Sequence, residues 1–378
     1  MRAVLRRVGL ALHRFWFARE VPLAQPLLRV VAGCYFLSGG LGLDLGRLAA
    51  AGRRPLALID PSPVLDLSPL PFPMTPDTAA HFGAAMTLCA ILFTVGLLTR
   101  PALLVFVAGY WHVGAGIAAW GYKPHAILGL VQALTVLVVA PGTTAWSLDR
   151  ALAWAWARRR GRRAMLRAAL TGPPVARWGT QLVVTLFATL LFAAGLAKVR
   201  HGGVRWMDGH TLGFYLGGRS TLHIPDARTP GATLRELSVW THGFSQLSGP
   251  ASVAPARAWK DGFGIESHLY DATPTGLGRR IARQPWLLVA SSVATVVFEL
   301  AAPLLLVGGV PRATYTLASI GFFIGIRMSM GINFLPWTWL LLCTLDWSRF
   351  YSFVRGRLRG RPRLRAADAV PAVRLAEV

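Results

Sequence analysis

The stretch LVVTLFATLLFAAGLAKVRHGGVRWMDGH, residues 182–210, runs for sixteen residues without a charge and then meets Lys198. A run of that length and character approaches the roughly 20 residues needed to cross a hydrocarbon core. Residues 286–307 read the same way. The composition agrees: the 378 residues are 54% hydrophobic and only 15% charged, with a mean hydropathy of +0.47. A water-soluble fold cannot hide so much apolar surface behind so few charges. The expected fold class is an all-α integral membrane protein.

Eight apolar segments can be drawn from the hydropathy pattern, at residues 22–43, 78–98, 101–120, 125–140, 178–198, 286–307, 313–330 and 334–345. The last is short enough to be a partial or tilted span. Residues 1–20 are basic and amphipathic, which suits a helix lying on the membrane surface. A transmembrane domain then covers residues 21–350, with an external segment inserted at 199–285 between the fifth and sixth helices. A basic tail follows at 351–378.

The formal charge of +24 raises nucleic acid as a partner. However, the arginines cluster at the N-terminus, at 158–167 and at 355–365, each flanking a span. Topology and contact with anionic lipid account for that pattern without nucleic acid. Eight crossings with both termini cytoplasmic put every dense basic block on one side, as the positive-inside rule requires. The expected location is the bacterial cell membrane, multi-pass. Cys34, Cys89 and Cys343 lie separately in apolar runs and read as buried, unreactive thiols.

The chain has 40 basic residues, of which only three, Lys123, Lys198 and Lys260, are lysines. A sequence that favours arginine this strongly makes Lys198 conspicuous at the end of a span. Arginine could snorkel to the headgroups equally well. A partly buried lysine, unlike arginine, can give up its proton and serve as a base. On the expected topology several polar groups approach the same outer level: Lys198, Trp206, Asp208, Arg327, His81, the somewhat deeper His112, and His125 at the start of the fourth span. Imidazole can donate to a developing anion or shuttle a proton, although interfacial hydrogen bonding explains a lone histidine as well. Arg29 and Glu299 are ionisable residues inside apolar segments. They should face the bundle interior with partners, and both lie toward the inner half, so they read as a structural ion pair. No HxxxH, HExxH or Cys/His spacing is present, and no metal is expected. Phosphate-loop, GxSxG and dinucleotide-binding fingerprints are also missing.

Several fragments occur in an order that resembles the HTTM family, the membrane domain shared with vitamin K-dependent gamma-carboxylase. They are PLLRVV (26–31), PHAILGLVQALTVLVVAPGTTAWSLDRAL (124–152), AGLAK (194–198), RWMDG (205–209), VFELAAPLL (297–305) and MGINFLPW (330–337). The resemblance spans roughly residues 20–350. It implies that Lys198 is the base for a reduced quinone of the vitamin K type and that His125 belongs to the same site. Arg327, Trp206, Asp208 and His112 would then support the cofactor. Arg327 stands where relatives carry His, so it would stabilise an anion without shuttling protons. The carboxylase's large lumenal substrate domain is expected to be absent, since the chain ends shortly after the last apolar segment. Three readings remain open: a quinol- or peptide-directed enzyme, an accessory protein for maturation or export of a small secreted peptide (as in the sporulation-delaying toxin system), and a quinone- or lipid-binding protein without turnover.

Overall fold

The computed structural model describes residues 2–40, 67–71, 74–119, 125–161, 165–209, 212–213, 216 and 275–345. They all fall within one compact unit, Met1–Leu345. The expected tail at 351–378, and the external segment between 217 and 274, lie outside the described residues. What is described is mostly helical. Among the described residues one two-residue antiparallel strand pair, β1 (Arg19–Glu20) with β2 (Val175–Ala176), is the exception to an all-α fold.

An exposed amphipathic helix, α1 (Arg2–Phe17), leads into α2 (Ala24–Tyr35), which continues as a π turn through Phe36–Gly40. Next come α3 (Pro76–Val95), α4 (Thr99–Ala119) and α5 (His125–Val139). Thr75 starts α3 by accepting the Thr78 N–H at 3.2 Å, with Pro76 in the first turn where its missing N–H costs nothing. Gly96 ends it at φ 79°, a conformation that costs other residues dearly. A surface hairpin follows, α6 (Leu148–Arg159) and α7 (Leu166–Thr171), and then the long α8 (Trp178–Ala197). The closing group is α9 (Gly276–Ala282), α10 (Pro285–Leu300), the single turn α11 (Leu304–Val307), α12 (Gly309–Met330) and α13 (Leu335–Cys343).

Among the described residues three helices are long and apolar enough to cross a membrane: Pro76–Val95, Trp178–Arg200 and Pro285–Val307. Their outer faces carry apolar side chains that no protein covers, among them Leu88 at 56% and Val297 at 61% exposure. Such faces are stable against lipid and not against water. The eighth expected segment becomes α13, nine residues long, or about 13 Å at 1.5 Å per residue. It does not lie at the periphery: Pro336, Trp337, Leu340 and Leu341 are buried, and α13 packs against α2, α5 and α12. Around it the core is built from Phe36, Phe93, Phe106, Leu134, Leu137 and Val184.

One end of the bundle is fastened by polar side chains. Glu20 accepts from the Thr180 hydroxyl at 3.3 Å and faces Arg177 at 3.8 Å. Gln25 accepts the Gly142 N–H at 2.7 Å. Asp149 accepts from the backbone N–H groups of Leu98 (2.9 Å) and Thr99 (3.1 Å), and from the Thr99 hydroxyl (2.9 Å). It thereby caps α4 across the fold. Arg29, fully buried, donates to the Trp146 carbonyl at 2.9 Å and lies against Gly96 and Ser147. The stretch PGTTAWSLDR (141–150) is therefore a structural clasp joining α2, the α3–α4 turn and the α5–α6 connection.

That placement corrects one expectation. Arg29 does not pair with Glu299; it serves the clasp, while Glu299 on α10 is engaged by Lys198. Hydropathy fixes roughly how deep a residue lies in a span. It does not fix which neighbouring helix the residue faces.

Candidate functional site

Lys198 caps α8 and begins a π turn, Lys198–Gly202, that runs into a 3₁₀ segment, Gly203–Asp208. From Lys198, which keeps α-helical dihedrals (φ −60°, ψ −45°), the helix loosens into π hydrogen bonding. α8 and α10 lie antiparallel and very close. A Cβ added to Gly195 would sit 2.8 Å from the Glu299 Cβ and 3.1 Å from the Leu300 nitrogen, so only glycine fits. Further along, Gly209 (φ 86°) meets Leu288 in the same way. From Glu299 to Leu288 is eleven residues of α10, about 16 Å. The non-α segment after Lys198 therefore continues beside α10 instead of leaving it.

This close approach brings Lys198 to Glu299. The Nζ donates to Oε1 at 2.8 Å and to Oε2 at 2.7 Å. The two side chains are 22% and 9% exposed, so the glutamate is the more enclosed of the two. The Trp206 ring, folded back over Gly202, sits 5.0 Å from the Nζ, within the range of a cation–π contact. A ring stack of Phe298 with Tyr315 (4.8 Å) and Phe322 (4.2 Å) walls the neighbouring side of α10. Tyr315 also donates to the Phe298 carbonyl at 2.9 Å.

The expected site residues do not all converge. Lys198 and Trp206 come together, joined by Glu299. Asp208 is exposed at the end of the 3₁₀ segment. His125 is the first residue of α5, which packs against α8, but its side chain lies outside the described residues. His112 is buried on α4 and interacts with the backbone at Pro71. Arg327 is exposed near the end of α12, donating to Asn333 at 3.3 Å. It stands twelve residues beyond Tyr315, about 18 Å along the helix, and so not at the level of the Lys198–Glu299 pair.

Two features escaped the sequence reading. One is Glu299 as the partner of Lys198. The other is Ser292, fully buried on the same face of α10, whose hydroxyl has no hydrogen-bond partner among the described residues. The spacing Ser292–Val296–Glu299 marks one helical stripe and could have exposed both. Among the described residues no group of three His, Cys, Asp or Glu side chains could hold a metal ion.

The arrangement amounts to a desolvated acid–base pair with one partly exposed member. Protons can pass between Nζ and the carboxylate over 2.7–2.8 Å, and the ammonium can steady an oxyanion placed beside it. No protein-family model, curated protein or solved structure compared with the chain matches it.

Proposed function

We propose that this is a multi-pass cell-membrane protein of the HTTM type, with eight spans and cytoplasmic termini, that performs base chemistry at the Lys198–Glu299 pair on a hydroquinone or a peptide. The observation that carries the reading is the pair itself: a lysine at an apolar helix end, bonded to both oxygens of an enclosed carboxylate, yet 22% exposed. Its chemistry can be written in balance. The Lys198 ammonium passes a proton to the Glu299 carboxylate, leaving a neutral amine beside a neutral acid. The amine then takes the proton of a substrate hydroxyl or acidic C–H. The products are an ammonium, a protonated Glu299 and the substrate anion, held by the positive charge that formed with it. Trp206 and the Phe298 stack keep water from the anion.

Lys198→Arg tests this, because arginine keeps the charge and the bond to Glu299 but does not release a proton at ordinary pH. Purified full-length protein is supplied with menaquinol and oxygen as the oxidant, and oxygen uptake is followed: the quinol anion gives two electrons and its second proton to oxygen, the Lys198 ammonium returns the first proton, and the products are menaquinone and hydrogen peroxide. Loss of general-base catalysis lowers the rate by about 10²–10⁴-fold. An arginine variant as fast as the parent would remove the base role. Failure of the parent to oxidise menaquinol would remove the quinol substrate. The peptide arm is then read by mass spectrometry of a co-expressed secreted peptide.

A second reading has a specific observation in its favour. Closure of Lys198 on both oxygens of Glu299 is what a fastening between α8 and α10 requires. Under that reading the protein is an accessory or binding protein for a secreted peptide or a quinone, and Lys198→Arg leaves its function intact.

A further inference from the structure

The hairpin after the clasp has no role in that chemistry, and its surface is unusual. Helix α6 buries no residue at all. Leu148, Leu152 and Trp156, spaced i, i+4 and i+8, form a stripe exposed at 41%, 53% and 58%. A helix bordering only water keeps such a stripe polar.

The position of α6 is firmly set. Ser147 caps it by accepting the Arg150 N–H at 3.2 Å. Arg150 donates to the carbonyls of Thr144 (3.0 Å) and Ala169 (3.3 Å). Asp149, in the first turn of α6, holds the Leu98 amide at 2.9 Å. These bonds pin α6 where α3 ends and α4 begins. Val95 and Leu98 there are themselves 49% and 58% exposed, so the stripe on α6 adjoins the uncovered apolar surface of the spans.

At the other end of the helix, Arg158 lies over the Trp154 ring at 5.3 Å and Arg160 over the Trp156 ring at 3.5 Å. A guanidinium stacked on an indole keeps its in-plane N–H donors free to fork onto phosphate oxygens. Tryptophan is the residue that settles at the headgroup level.

We propose that α6 lies in the plane of the membrane surface as an anionic-phospholipid site. Leu148, Leu152 and Trp156 are inserted among the acyl chains, and Arg160, over the Trp156 ring, holds a headgroup phosphodiester beside them, while Trp154 and Arg158 lie on the opposite face of the helix. The charge favours an anionic lipid over a zwitterionic one. The apolar stripe favours a lipid over a nucleic acid, which offers phosphates but nothing to cover leucines. The proposal rests on the membrane reading and is independent of the chemistry at Lys198.

Full-length protein is reconstituted in phosphatidylcholine vesicles containing either brominated phosphatidylglycerol or brominated phosphatidylcholine, whose acyl bromines quench nearby tryptophan. The Trp156 contribution is the difference between the parent and Trp156→Phe. Quenching of that contribution by both lipids is expected, with brominated phosphatidylglycerol enriched about five-fold, the factor for one interfacial arginine. Arg160→Gln abolishes the enrichment and leaves quenching by phosphatidylcholine in place, whereas Arg158→Gln, on the opposite face, leaves the enrichment unchanged. Three results overturn the proposal: a Trp156 signal that neither lipid quenches, equal quenching by both lipids, or release of the enrichment by a short RNA at equal phosphate concentration. Quenching of the remaining tryptophans shows that each variant is still embedded. If none of them is quenched in the parent, the membrane reading itself fails.

Discussion

Glu299→Gln separates the two halves of the Lys198–Glu299 interaction. Glutamine keeps the shape and one acceptor but removes the negative charge, leaving the Lys198 ammonium enclosed without its counter-ion. Removing one member of a buried pair costs about 3–5 kcal/mol. The lower figure applies here, because Lys198 is 22% exposed and water can reach it. At roughly 2 °C per kcal/mol for a chain of this size, the midpoint falls by about 6 °C. Lys198→Met is the harsher single change, since it strands a carboxylate that is only 9% exposed. The double variant Lys198→Met/Glu299→Leu removes both desolvation penalties and is expected at or above the parent's midpoint. Thermal unfolding of the detergent-solubilised protein can be followed with a thiol-reactive dye in a Cys34→Ser/Cys89→Ser background, because Cys34 is exposed and Cys89 half-buried, whereas the buried Cys343 reacts only on unfolding. A Glu299→Gln variant that melts with the parent, or a double variant that loses the sum of the two single losses, would refute the coupling. Either result would mean the pair is solvated, and that its short distances carry no coupling.

Two further changes test the frame around the site. Asp149→Ala removes the side chain that caps α4 from across the clasp and lowers stability by about 1–2 kcal/mol, read as a drop in the same dye-monitored midpoint; Asp149→Asn should recover part of it. Gly195→Val drives a side chain into the Glu299 Cβ and the Leu300 amide, forcing α8 from α10. It should therefore depress the midpoint and also uncouple the two charges, so that adding Glu299→Gln costs nothing more.

Much of the architecture is written in the sequence as periodicity and charge. The runs at 78–98, 178–198 and 286–307 become the three long apolar helices, because an unbroken apolar stretch of about 20 residues has few other stable forms. The boundaries follow from local chemistry, with Thr75 and Pro76 opening α3 and Gly96 closing it. What could not be read is azimuth. Arg29 and Glu299 looked like partners because both are charges within apolar runs, yet the partner of each depends on which way its helix is turned. For Glu299 the clue was the glycine at 195, which lets α8 lie against the Glu299 backbone. Nor could the role of 141–150 be read. In the fold Ser147 and Asp149 spend their oxygens capping α6 and α4.

The identity of the cation at 198 bears on what the pair is for. Where the described structure needs a positive side chain for fastening, it uses arginine: Arg29 on the Trp146 carbonyl, Arg150 on Thr144 and Ala169, Arg312 on Gln181, and Arg177 beside Glu20. Gripping both oxygens of one carboxylate is the geometry for which a guanidinium fork is best suited. Yet at Glu299, where a single cation grips both oxygens, the chain carries a lysine. For a plain fastening this is the weaker choice. For proton transfer it is the workable one, because an ammonium can shed a proton and a guanidinium cannot. The contrast supports the base reading, and it gives Lys198→Arg two readouts that must diverge. Thermal stability should hold or rise as the fork closes on Glu299, while turnover disappears. If both survive, the pair only fastens; if both fall, arginine does not fit beside Gly195, and the comparison passes to Lys198→Met/Glu299→Leu, whose frame is expected to hold without either charge.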